Sequence, residues 1–121
     1  MVDKFTTLPI FKVAHELVLD VYKVSSMFPI DERFGLVSQI RRSASSVTTN
    51  IIEGNSRGHR KEFIEFLYIA NGSLEETKYH LLLSKDLNYI DENTYTSVHD
   101  KTIEVSRQLI GLLKYWKNKV I

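Results

Sequence analysis

The chain has 121 residues, 43% hydrophobic and 26% charged, enough for one domain with a real core and the balance of an ordinary globular protein. It has no cysteine, which excludes disulfides, zinc–thiolate centres and a cysteine nucleophile. Its formal net charge of +1 gives no overall push toward nucleic acid, and it has no run of about 18 apolar residues able to span a membrane.

The first segment reads as an amphipathic helix. Ile10, Ala14, Leu17, Val21, Val24 and Phe28 follow a 4-3-4-3-4 spacing. Asp3 and Glu16 stand among its apolar residues, so it does not read as a secretory signal, and a cytoplasmic protein is expected. Pro29 separates it from a second helix, for which Asp31 is the expected cap and Val37, Ile40, Ala44, Val47 and Ile51 the core stripe. Ser56 or Gly58 marks the turn into a third helix with a stripe of Phe63, Leu67, Ala70, Leu74, Thr77 and Leu81. Asp91 caps a fourth, whose stripe runs Tyr95, Val98, Thr102, Val105, Leu109, Leu112 and Trp116. Four helical periods with short connections and no alternating pattern give an all-α fold, an antiparallel up-down-up-down four-helix bundle. Helices two and three would each be roughly 40 Å long at about 1.5 Å per residue.

Folding the second and third helices back near Gly58 pairs residues whose numbers sum to about 116–118. Ala44 and Ser45 then lie level with Gly72 and Ser73, a group of small residues that invites close helix approach. Gly72 costs a helix interior about 1 kcal/mol relative to Ala, and tight packing would be the reason to tolerate it. Arg41 and Arg42 fall level with Glu75 and Glu76, and Glu53 falls near Arg60 and Phe63, so these charges have candidate partners inside the hairpin. Ser43, Ser46, Thr49 and Asn50 have no place in the core stripe. They form a smooth, weakly polar face suited either to a neighbouring subunit or to helix one.

Two segments carry a resemblance to a known family. These are "FGLVSQIRRSASSVTTNIIEGNSR" at 34–57 and "EFIEFLYIANGSLEETKYHL" at 62–81. The matching positions are Glu32, Gly35, Leu36, Gln39, Ile40, Arg41, Arg42, Ser46, Asn50, Ile51, Glu53 and Gly54, then Phe63, Phe66, Ala70, Gly72, Ser73, Leu74 and Glu76, with Glu75 beside them. In this pattern the chain resembles the 23S rRNA intervening-sequence proteins, also called four helix bundle proteins. Ile52 stands where Ala is usual, and Val47 where Ile is usual. The resemblance implies an antiparallel four-helix bundle assembled as a ring-like homopentamer, and no catalytic activity. It extends to the accessory variability determinant of diversity-generating retroelements, a basic relative that binds nucleic acid.

Charge is uneven along the chain. Residues 33–61 hold Arg33, Arg41, Arg42, Arg57, Arg60 and Lys61 against Glu53 alone, and residues 101–121 hold Lys101, Arg107, Lys114, Lys117 and Lys119 against Glu104 alone. The candidate nucleic-acid contacts are Arg57, Arg60 and Lys61 at the hairpin turn. Lys114, Lys117 and Lys119 join them, interleaved with Tyr115 and Trp116, whose rings could stack on bases. The competing reading of those lysines is a solvated last turn that suits the helix dipole. The partners expected are the chain itself, RNA or DNA, or another protein, with no membrane and no cofactor. For an enzyme the signals are poor. The Glu-x-x-His pairs of di-iron bundles do not occur, and His80 and His99 lack an obvious third metal ligand. No phosphate loop is present either.

Overall fold

A computed structural model describes residues 3–119. Four helices make up the architecture: α1 at Pro9–Ser25, α2 at Leu36–Ser56, α3 at Arg60–Asp86 and α4 at Glu92–Asn118. Short 3-10 turns at Lys4–Thr7 and Ile30–Glu32 precede α1 and α2, and the described residues contain no strand. Contacts run α1 to α2, α2 to α3, α3 to α4 and α4 back to α1, which closes the four antiparallel helices into a bundle. The starts of α1 and α3 therefore share one end with the finishes of α2 and α4.

The expected stripes form the core. Ile10, Ala14, Leu17, Val21, Val24 and Phe28 are buried, as are Phe63, Leu67, Ala70, Leu74, Thr77 and Leu81. Each large apolar side chain removed from water contributes about 1.5–3 kcal/mol. Deviations occur at stripe ends, Tyr95 at the start of α4 being half-buried. Val37 is half-buried, and on α4 the core continues from Leu109 to Leu113 instead of Leu112. A four-residue step there leaves Leu112 and Trp116 half-buried at the bundle's edge.

Helix ends follow local chemistry. Asp91 caps α4, its Oδ1 accepting from the Thr94 N–H at 2.7 Å. The expected cap at Asp31 is incorrect, because a 3-10 turn occupies residues 30–32 and α2 starts only at Leu36. Glu32 serves instead: its Oε1 accepts from the Leu36 N–H at 3.1 Å and its Oε2 from the Tyr89 hydroxyl at 2.7 Å. With 21 residues, α2 is thus about 32 Å long, shorter than expected, while the 27 residues of α3 span about 40 Å. Gly58 makes the turn between them at φ +75°, a left-handed conformation that glycine adopts without steric cost.

The hairpin register comes out one or two residues beyond the expected pairing. Ser46 bonds Ser73 through their hydroxyls at 2.9 Å, and the Thr77 hydroxyl donates to Ser43 Oγ at 2.9 Å. The close approach of α2 and α3 is real, but its glycine is not Gly72. Gly72 is exposed, and a side chain there would meet nothing within 4 Å. The tight site is Gly54, where an added Cβ would stand 2.5 Å from Phe66 Cβ.

Candidate nucleic-acid interface

At the end of the bundle where α2 finishes and α3 begins, cationic side chains gather. Arg57 pairs with Glu53 at 3.1 Å and lies 5.3 Å from the centre of the Phe66 ring. Arg60, in the first turn of α3, donates through Nη1 to the Trp116 carbonyl at 2.9 Å. That bond joins the start of α3 to the end of α4 and brings the two sequence clusters together. Lys61 and Lys114 are exposed, with no hydrogen-bond or ion-pair partner among the described residues. Lys117 donates to the Tyr68 hydroxyl at 2.8 Å, and Lys119 lies 5.0 Å from the Trp116 ring centre and 5.3 Å from that of Tyr115. Lys4, just ahead of α1, adds a charge at the same end. The carboxylates nearby are Asp3, Glu53, Glu62 and Glu65, so the rim is basic without being uniformly so.

Two clefts open on this rim. The larger, about 410 Å³, lies between the start of α1 and the end of α4, lined mainly by Leu8, Ile10, Leu112, Tyr115 and Trp116. The smaller, about 190 Å³, holds His59 and Arg60. Asn55, Phe63 and Trp116 belong to both. Trp116 meets Phe63 edge-on, with ring centres 5.7 Å apart. Asn55 and Gln108, which line the larger cleft, escaped the sequence reading because an amide on a helix has no periodic signature. A usable signal was Gly111 inside α4: a helical glycine has a cost, and here it borders the hollow, with nothing within 4 Å of its Cβ position.

The other motif residues are used inside the chain, often with partners the sequence did not indicate. Arg41 does not meet Glu75 or Glu76. Its Nε donates to Ser25 Oγ at 2.8 Å, its Nη2 to the Tyr22 carbonyl at 3.3 Å, and its guanidinium lies 4.5 Å from the centre of the Tyr22 ring. Helix α1 thus supplies the partners, because a long side chain on the flank of α2 reaches the neighbour on that flank. Glu75 pairs with Lys78 at 2.9 Å and Glu76 with His80 at 3.2 Å, both along α3. Arg42 is exposed, with no carboxylate at ion-pairing distance among the described residues, and Gln39 is exposed as well. Glu53 goes to Arg57 and not to Arg60.

The assignment of Ser43 and Ser46 to a face without a core role is also corrected. Ser43 is buried against Thr77, and Ser46 bonds both Ser73 and the Asn50 amide, the latter at 2.9 Å. Both therefore face α3 of their own chain. Thr49 remains exposed, bonded only back to the Ser46 carbonyl at 3.4 Å. No group of three or more metal-binding side chains exists among the described residues: His99 stacks on Tyr95, and His80 is held by Glu76. No described helix is long and apolar enough to cross a membrane.

The sequence model of the 23S rRNA-intervening sequence proteins matches residues 6–111, nearly all of the bundle. The chain belongs to this family. Among solved structures it is similar to a crystal structure from Bacteroides thetaiotaomicron, a protein of unknown function from the S23 ribosomal protein family. That protein is 27% identical, and the match covers 87% of this chain and 98% of the other with a TM-score of 0.80. No curated protein matches the chain. Family membership thus accounts for the fold and for the motif spanning α2 and α3, and it brings no catalytic assignment with it.

Proposed function

We propose that this member of the 23S rRNA-intervening sequence family is a non-catalytic accessory protein that binds nucleic acid, RNA first, and works as a homo-oligomer. The observation that carries the reading is the Arg60–Trp116 bond, which places Arg57, Arg60 and Lys61 on one rim with Lys117 and Lys119. Phosphate contacts from such a rim release counterions, so binding should weaken steeply as salt rises. A ring of copies would repeat the rim around its axis, and the resemblance to pentameric relatives makes five the expected number. The exposed apolar side chains of α3 and α4, among them Ile69, Tyr79 and Ile110, support assembly, since side chains of that kind are candidates for burial between subunits.

Titrating a structured RNA at several salt concentrations tests the binding. Arg57→Ala and Lys61→Ala each remove one cation from the rim, and each should lower the log–log salt slope by about one. Absence of binding at low salt would overturn the reading. Light scattering tests the assembly: a stable mass of one chain at tens of micromolar would exclude it. A protein-binding scaffold is the second reading, favoured by Ile30 and Phe34 at the opposite end of the bundle, which are 79% and 89% exposed. Capture of a polypeptide partner that is abolished in Phe34→Ser, with no salt-sensitive RNA binding, would select it.

A further inference from the structure

The larger cleft has a chemistry that phosphate binding alone does not call for. Its walls are mostly apolar, Leu8, Ile10 and Leu112 with the rings of Trp116, Tyr115 and Phe63, and two side-chain amides, Asn55 and Gln108, supply the polar part of the lining. Neither amide has a hydrogen-bond partner elsewhere in the chain among the described residues, so each keeps free donors and a free acceptor. Its volume, about 410 Å³, falls within the usual range for small-ligand sites, about 300–1,000 Å³. Arg60, in the smaller cleft across Trp116, commits one N–H to the Trp116 carbonyl and retains the others, and Lys119 rests by the rings of Tyr115 and Trp116. A ligand matching this set has a flat face to stack, an edge with both donors and acceptors, and an anion attached close by.

We propose that the cleft takes one unpaired base of a single-stranded segment, with the adjoining phosphate on Arg60 and Lys119; this rests on the nucleic-acid reading above and sharpens it. The base stacks against Tyr115 or Trp116, which every base can do because each has a π face. Asn55 and Gln108 meet its edge, as amides do when they recognise bases. A base inside a duplex cannot enter, since its faces are covered by its neighbours and its edge by its pair. An acyl chain would fill the apolar wall but make no use of the two amides, which a base edge can pair with. The rim therefore grips any backbone, while the cleft selects strands that are unpaired at one position.

The chain's single tryptophan is Trp116, so intrinsic fluorescence reports on this cleft directly. Full-length protein is titrated with a 12-nucleotide single strand, as RNA and as DNA, with a blunt duplex of the same sequence, and with dodecanoate. Saturable quenching of Trp116 by the single strands is expected, with affinity at least about tenfold above the duplex. A gap between the RNA and DNA strands would show which sugar the site prefers. Gln108→Leu and Tyr115→Ala, both outside the core, should each cost single-strand affinity roughly five- to tenfold and leave the salt slope unchanged. Gly111→Leu, which adds a side chain where nothing lies within 4 Å, should obstruct the cleft and abolish the quenching with helicity intact.

Equal, salt-sensitive affinity for strand and duplex, without quenching, would overturn the base site and leave the nucleic-acid reading in place. No binding to any oligonucleotide would remove both. Quenching by dodecanoate with none by the strands would reassign the cleft to an apolar tail.

Discussion

Gly54→Ala and Gly72→Ala are the same chemical change at two helical glycines, and the structure gives them opposite signs. At Gly72 the new methyl meets nothing within 4 Å, so the variant gains roughly 1 kcal/mol of helix propensity. At Gly54 the same methyl would sit 2.5 Å from Phe66 Cβ and 3.1 Å from both Phe66 Cγ and Phe63 Cδ1. Phe66 Cβ is fixed to the backbone of α3, so relief requires the two helices to separate, not one side chain to rotate. Overpacking of this kind costs about 1–3 kcal/mol. The contact lies well inside normal separations, which points to the upper half of that range and outweighs the propensity gain. The two variants should then differ by about 2–3 kcal/mol. With an m value of about 1–3 kcal/mol/M, their urea midpoints would stand on the order of 1 M apart, Gly72→Ala above wild type and Gly54→Ala below it. Far-UV circular dichroism at fixed protein concentration measures this, the concentration being held because the proposed assembly would couple to stability. Coincident midpoints, or a Gly54→Ala midpoint at or above wild type, would refute the packing argument.

The remaining predictions concern polar contacts within the chain. Thr77→Val should lower stability by about 1–2 kcal/mol by removing the hydroxyl that donates to Ser43, whereas Thr77→Val combined with Ser43→Ala should recover much of it, as a double-mutant cycle in urea would show. Ser43→Asp should lower the urea midpoint, because the charge would be buried inside one chain, while Thr49→Asp should leave stability within about 0.5 kcal/mol of wild type. Arg41→Lys should cost about 1 kcal/mol by removing the Ser25 bond and the stacking on the Tyr22 ring, with Arg42→Lys neutral in the same melt. Glu32 is held below the usual carboxylate range by the Tyr89 hydroxyl first and the Leu36 N–H second, and Asp91 by the Thr94 N–H. A carboxyl lowered by folding stabilises above its ordinary pKa and loses that contribution as pH falls through the lowered value. Thermal melts below about pH 4.5 should therefore fall less steeply for Glu32→Gln than for wild type.

The four periods and the Asp91 cap were legible because each depends on neighbours along one helix. What escaped depended on how two helices meet. A hairpin register good to two residues placed small side chains at the right height, yet it could not tell Gly54, which faces Phe66, from Gly72, which faces outward. A register between α2 and α3 alone sets Arg41 beside the acids of α3, whereas the hydroxyl and ring that hold it come from α1. The delayed start of α2 was hidden for a similar reason: Glu32 is fixed by Tyr89, 57 residues away. On the rim, the basic residues were legible as two separate runs, and only the bond from Arg60 to Trp116 makes them one surface.

The hydroxyl contacts between α2 and α3 also act as an alignment key. Apolar side chains can slide past one another by a helical turn and find new apolar partners, so they favour contact without dictating where it occurs. Ser43 with Thr77 and Ser46 with Ser73 resist sliding, because a shift by one turn can re-form only one hydroxyl pair and breaks the other. A hairpin with alanine and valine at these places could be as stable and yet adopt several offsets. Every offset would carry Arg57, Arg60 and Lys61 up or down with it, relative to the last turn of α4. The levelling of the rim is therefore set about three helical turns below it, by bonds that touch no ligand.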